Sequence, residues 1–83
     1  MGMYDNTDSH FYGSIVLFTD NYVPFNWLKC DGSSLDVKEY NVLYAVIGGL
    51  NDDSETFNLP NIPSPVEGFQ YIICNGGQFP KRN

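Results

Sequence analysis

Few residues in this chain could do covalent chemistry, and they are scattered. One histidine, His10, two cysteines, Cys30 and Cys74, and a set of carboxylates are the available groups. Nucleophilic catalysis needs a base beside the nucleophile and a third group to orient that base. His10 sits in a polar opening segment, remote in sequence from either cysteine. The carboxylate pairs Asp31 with Asp36 and Asp52 with Asp53 fall in polar, turn-like stretches, where solvation keeps both members ionised and leaves no division into acid and base. Zinc asks for about four N or S ligands at short spacings, which one histidine and two distant cysteines do not supply. The acidic run 52–55 lacks the alternating ligand pattern of a calcium loop. Gly48-Gly49 and Gly76-Gly77 follow no strand-to-helix phosphate fingerprint and read as turns. No enzyme, no catalytic residue, no metal and no cofactor is expected.

Recognition is the chemistry that remains. Lys81 and Arg82 are half of the four basic residues and follow Phe79-Pro80. Together with an aromatic wall such as Trp27 or Tyr71 they could bind a small anionic, nucleotide-like ligand, with phosphate on the cations and a base stacked on the ring. The same pair could instead meet acidic patches of a neighbouring subunit. Against this local cluster stands a net charge of −6, from 4 basic and 10 acidic residues. That field repels nucleic acid and anionic membrane surfaces, so neither is expected as a general partner. The longest apolar run, residues 15–18, is far too short to cross a bilayer. No basic start with an apolar core marks a signal peptide. The expectation is a soluble chain made in the cytoplasm. Both cysteines lie inside apolar runs, where free buried thiols are expected.

The elements that must position these residues follow from pattern. Residues 1–12 are expected to form a flexible polar leader, being without apolar periodicity, and residues 13–83 a single domain ending in a basic C-terminal tail. The β-branched and aromatic run 13–19 predicts a strand. A turn-rich stretch, 20–26, follows, in which Pro24 fixes its own φ and Asn26 suits a left-handed position. Residues 27–30 predict a second strand, closed by the turn dipeptide Asp31-Gly32. Asp36 as N-cap, with Glu39 three residues on, predicts the start of a helix. Tyr40, Leu43, Tyr44 and Ile47 give it one apolar stripe, and Gly48-Gly49 its stop. After an acidic loop at 51–55, residues 56–59 predict a short strand ended by Pro60. Pro60, Pro63 and Pro65 predict an extended, unpaired stretch, and residues 69–74 a final strong strand. The fold class is therefore α+β, small and β-rich, with one short helix. At 83 residues such a chain buries only ~60% of its unfolded surface. Its six Phe, six Tyr and one Trp carry more apolar area than so small a core needs, which predicts a homo-oligomer.

From Gly13 onward the order of residues resembles the phage tail collar domain family, also found in proteins called microcystin-dependent. Gly13, Ile15, Phe18, Pro24, Trp27 and Cys30-Asp31-Gly32 fall in the family's order, as do Leu43, Tyr44, Ile47-Gly48 and Phe57-Asn58-Leu59-Pro60-Asn61-Ile62. The run 71–74 and the segment 79–83 look like the family's closing strand and tail. Ser14 stands where an acidic residue is usual and Asn26 where Gly is usual. The long glycine-rich stretch before the final strand is reduced to residues 63–68, which removes the region suited to receptor contacts and marks a shortened stand-alone member. The resemblance implies that Gly13, Pro24, Trp27, Cys30, Asp31, Gly32, Phe57, Leu59 and Pro60 are packing and motif positions. It implies a non-enzymatic phage or prophage protein, a structural or adhesive tail module acting as a homo-oligomer. Its partners would be its own copies and a tail fibre or baseplate protein. It would be made in the host cytoplasm and carried in the virion tail. The alternative is a soluble viral anti-defence binder that sequesters a small nucleotide-type immune signal in pockets between subunits. Lys81, Arg82, Trp27 and Tyr71 would then form the ligand site.

Overall fold

The apolar runs of the sequence become strands that converge on one central strand. In the computed structural model, residues 10–47 and 55–77 are described. The elements in chain order are β1 (Ile15–Thr19), β2 (Trp27–Lys29), β3 (Ser34–Asp36), α1 (Asn41–Ile47), β4 (Thr56–Asn58) and β5 (Phe69–Cys74). β5 lies between β1 and β2 in a three-stranded antiparallel sheet, and β3 pairs with β4 in a two-stranded one. Ile15 faces Ile73 and Thr19 faces Phe69 on one side of β5, while Trp27 faces Cys74 and Lys29 faces Ile72 on the other. This is the β-rich architecture with one short helix that the sequence predicts.

Side chains alternate across a strand, so β5 feeds two cores. Ile73 joins Cys30, Leu43, Phe57 and Leu59 on one face, with Tyr71 and Tyr44 packed against them. Ile72 and Cys74 join Trp27 on the other, where Val16 and Phe18 close the cluster. Leu43, the buried residue of α1, docks the helix on the first core. Burying a strand on both faces accounts for the unbroken apolar sequence of its second half.

Three local details depart from the sequence reading. β3 is a strand that its own three residues, Ser-Leu-Asp, do not announce. Pairing with β4 makes it, through Leu35 opposite Phe57. Asp36 is the last residue of β3 and caps the turn that precedes the helix, not the first turn of the helix itself. Its carboxylate accepts from the Lys38 N–H at 2.9 Å, and its carbonyl from the N–H groups of Glu39 and Tyr40 at 3.2 and 3.0 Å. A turn thus precedes the helix, which begins at Asn41. The stretch after Pro60 is pinned and not unpaired: Asn61 bridges to Asp31 and the Ile62 N–H donates to the Cys30 carbonyl at 3.1 Å. Prolines on both sides lack an N–H, but these two residues keep theirs. The glycine stop at 48–49 and the acidic loop up to residue 54 lie outside the described residues.

Other expectations stand. Asn26 has φ 69°, the left-handed turn that its residue type predicts. Both cysteines are free and buried. Packing also reaches back to His10, whose ring meets Trp27 edge-on at 5.1 Å and 79°.

Candidate functional site

The end of β5 that carries Phe69 opens into a surface groove of about 380 Å³. Three further chain segments complete it. Asp20 leaves β1 and is tied to the approach to β5, its N–H donating to the Gly68 carbonyl at 3.0 Å. Lys29, Cys30 and Asp31 leave β2, held because the Cys30 N–H donates to the Tyr71 carbonyl at 3.0 Å. Residues 61–64 form the facing wall, anchored by the Asp31–Asn61 bridge and by the Gly32 N–H on the Pro60 carbonyl at 3.2 Å. Ser64 shapes the rim, its hydroxyl lying 2.6 Å from the Val66 carbonyl and 2.8 Å from that of Phe69. One proton serves both acceptors in turn.

The groove is acidic and partly apolar. Asp20, Asp31 and Glu67 line it against the single ammonium of Lys29, with Ile62, Pro63, Phe69 and Tyr71 supplying the carbon surface. Asp31 is already occupied: it accepts from the amide N–H of Ser33 at 3.0 Å and, over a short contact, from the Ser33 hydroxyl. These hydrogen bonds, and secondarily the Lys29 charge, hold its carboxyl below the usual carboxylate range. Beneath it, burial and then the charge of Asp31 push the Cys30 thiol up, so it stays protonated. A protonated, buried thiol is a packing group and a poor nucleophile. Asp20 and Glu67 have no side-chain partner among the described residues. No group of three or more His, Cys, Asp or Glu among those residues is placed to hold a metal ion.

A second surface adjoins the groove. β1 is an outer strand of its sheet and carries no charge and no proline. Ile15 and Leu17 on it, and Phe69 across from its end, are 40–44% exposed. Sheet edges are commonly blunted by lysine, proline or a bulge, and β1 has neither of the first two.

Two of the four ligand residues that the sequence suggests, Trp27 and Tyr71, lie on opposite faces of the sheet. Tyr71 lines the groove, but Trp27 is buried on the opposite face of the sheet, with Ile72 and Cys74. One pocket in one subunit cannot use both rings. Lys81 and Arg82 lie outside the described residues. The motif positions occupy structural posts. The Gly13 N–H donates to the Cys74 carbonyl at 2.9 Å and the Trp27 N–H to the Pro24 carbonyl at 3.1 Å, while Cys30, Phe57 and Leu59 are core. Gly13 has φ 91°, and a Cβ there would stand 2.8 Å from Val46 Cγ1, so side chains are excluded twice over. Asp20, Lys29, Ser64, Glu67 and Phe69 carry no site signal in the sequence. They come from three separate stretches of the chain, at 20, 29 and 64–69, which the order β1-β5-β2 collects.

The model of one protein family, the Phage Tail Collar Domain, matches residues 13–66. No curated protein and no solved structure matches the chain. The matched span contains β1 to β4 and the helix, so the family signature and the folded core coincide up to the last strand.

Proposed function

The chain belongs to the phage tail collar domain family, and from that membership we propose that it is a non-enzymatic structural and adhesive module of a phage or prophage tail that works as a homo-oligomer. The observation that carries the assembly part is the uncharged outer strand β1 with Ile15 and Leu17 exposed on it. An outer strand presents a row of backbone donors and acceptors, and beside apolar side chains that row is a template for another chain. Copies of the same chain are the first partner, since closed symmetric assemblies are the usual outcome for small chains with surplus apolar surface. A fibre or baseplate protein is the second. The groove's three carboxylates weigh against its holding a phosphorylated ligand, and favour contact with cationic protein surface.

Two measurements test this reading. Sedimentation velocity across a concentration series should show a discrete oligomer, and a monomer throughout would reject the assembly claim. Mass spectrometry of purified phage particles should find the chain among tail proteins, and its exclusion from particles would reject the tail role.

A further inference from the structure

We propose that the acidic groove of one copy receives residues 79–82 of a second copy, with Lys81 and Arg82 on Asp20 and Glu67 and the Phe79-Pro80 pair against Phe69 and Tyr71. The inference deepens the homo-oligomer reading and rests on it. Charge complementarity is the first support. Three of the six carboxylates among the described residues line this groove, and half of the chain's cations lie in the one segment that also offers an aromatic-proline pair. Asp20 and Glu67 stand without side-chain partners among the described residues, next to carbon surface on which an arginine or lysine stem can lie. Guanidinium and ammonium groups over an aromatic ring gain cation–π attraction as well, and Pro80, with its φ fixed, lowers the entropy lost when the segment docks. At about 380 Å³ the groove falls in the size range of sites that enclose a small ligand or a few side chains.

Chain length is the second support, and it selects a second copy as the donor. After β5 the chain is held at the Cys74 end: the Asn75 N–H donates to the Asn26 carbonyl at 2.7 Å and the Cys74 thiol to the Gly76 carbonyl at 3.0 Å. The carboxylates lie at the other end, and from Cys74 to Phe69 a strand runs about 17 Å. From Gly77 to Lys81 a fully extended chain covers at most about 14 Å. A contact within one copy would need the segment to double back with backbone and side chain both extended, a limit that a segment from a neighbouring copy does not meet.

The test uses the full chain. An equal mixture of ¹⁴N- and ¹⁵N-labelled protein, treated with a carbodiimide that joins amine to carboxylate without a spacer, should yield mixed-isotope peptides linking Lys81 to Glu67 or Asp20. In sedimentation equilibrium the double variant Lys81→Glu, Arg82→Glu should weaken association about tenfold, as should Asp20→Lys with Glu67→Lys. Combining all four changes should restore it. Circular dichroism confirms that each variant folds, and Asp20 and Glu67 are exposed positions that accept a change of side chain. Crosslinks confined to one isotope, or an oligomer indifferent to both charge reversals, overturn this inference and leave the homo-oligomer reading standing. A wild-type chain that is monomeric at every concentration overturns both.

Discussion

Single residues set the groove's electrostatics and its turns. Asp31 owes its low carboxyl to Ser33, which donates twice to it. Because the folded state holds this group ionised below the ordinary range, its contribution to stability is complete above the unfolded value. It is lost only as pH falls through the folded one, in a window below about pH 4. Ser33→Ala removes the first cause of the shift and keeps the backbone donor of residue 33, so the Asp31 carboxyl should titrate higher than in the wild-type chain in a ¹³C NMR pH series. An unmoved titration would leave the backbone N–H of residue 33 as the main cause, ahead of Lys29. Asn26 offers a sharper stability test. At φ 69° a residue with a Cβ and no compensating polar side chain is disfavoured by about 1–2 kcal/mol. Asn26→Ala should lower stability by about that amount in chemical denaturation, and Asn26→Gly by less. The left-handed turn is legible in the sequence because Asn in a turn-rich stretch names its own conformation. Ser33 is not, since its role depends on the geometry that Gly32 gives the turn.

At the scale of elements, strongly patterned strands are legible in the sequence and weakly patterned ones are not. β1 and β5 declare themselves by β-branched and aromatic content. β3 does not, because three residues contribute little and the strand exists through Leu35 lying across from Phe57. The same pairing makes Asp36 the end of a strand, while its carboxylate still caps the turn that leads to the helix. The groove is illegible for a related reason. Asp20, Lys29 and Glu67 are widely spaced along the chain, and their meeting depends on β5 passing between β1 and β2. Trp27 and Tyr71 look equivalent as an aromatic wall because sequence gives alternation along a strand but not the register between strands. Trp27 opposite Cys74 puts it on the face that Tyr71 leaves. The outer edge of β1 carries the element-scale prediction. Leu17 is 44% exposed, so Leu17→Lys should leave the circular dichroism spectrum intact while shifting the sedimenting species toward monomer. Unchanged sedimentation would move the interface elsewhere.

For the molecule as a whole, folding and assembly should be coupled. A chain of 83 residues has a net stability of about 4–12 kcal/mol by the usual per-residue range. Its two cores share one strand, so neither survives loss of the other. Leu43 is fully buried and is what fixes α1 to the first core. Truncating such a side chain costs about 2–5 kcal/mol, a large share of that total. Leu43→Ala should therefore melt the chain far earlier, or leave it partly unfolded, as read by thermal denaturation. If copies associate through β1 and the groove, binding of folded partners adds to the stability of each by mass action. The melting temperature of the wild-type chain should then rise with protein concentration, and that of Leu43→Ala more steeply, because a weaker monomer depends more on its neighbours. A melting temperature flat across a roughly hundredfold range of concentration would show that each copy folds on its own, and would confine the exposed apolar strand to contacts with other tail proteins.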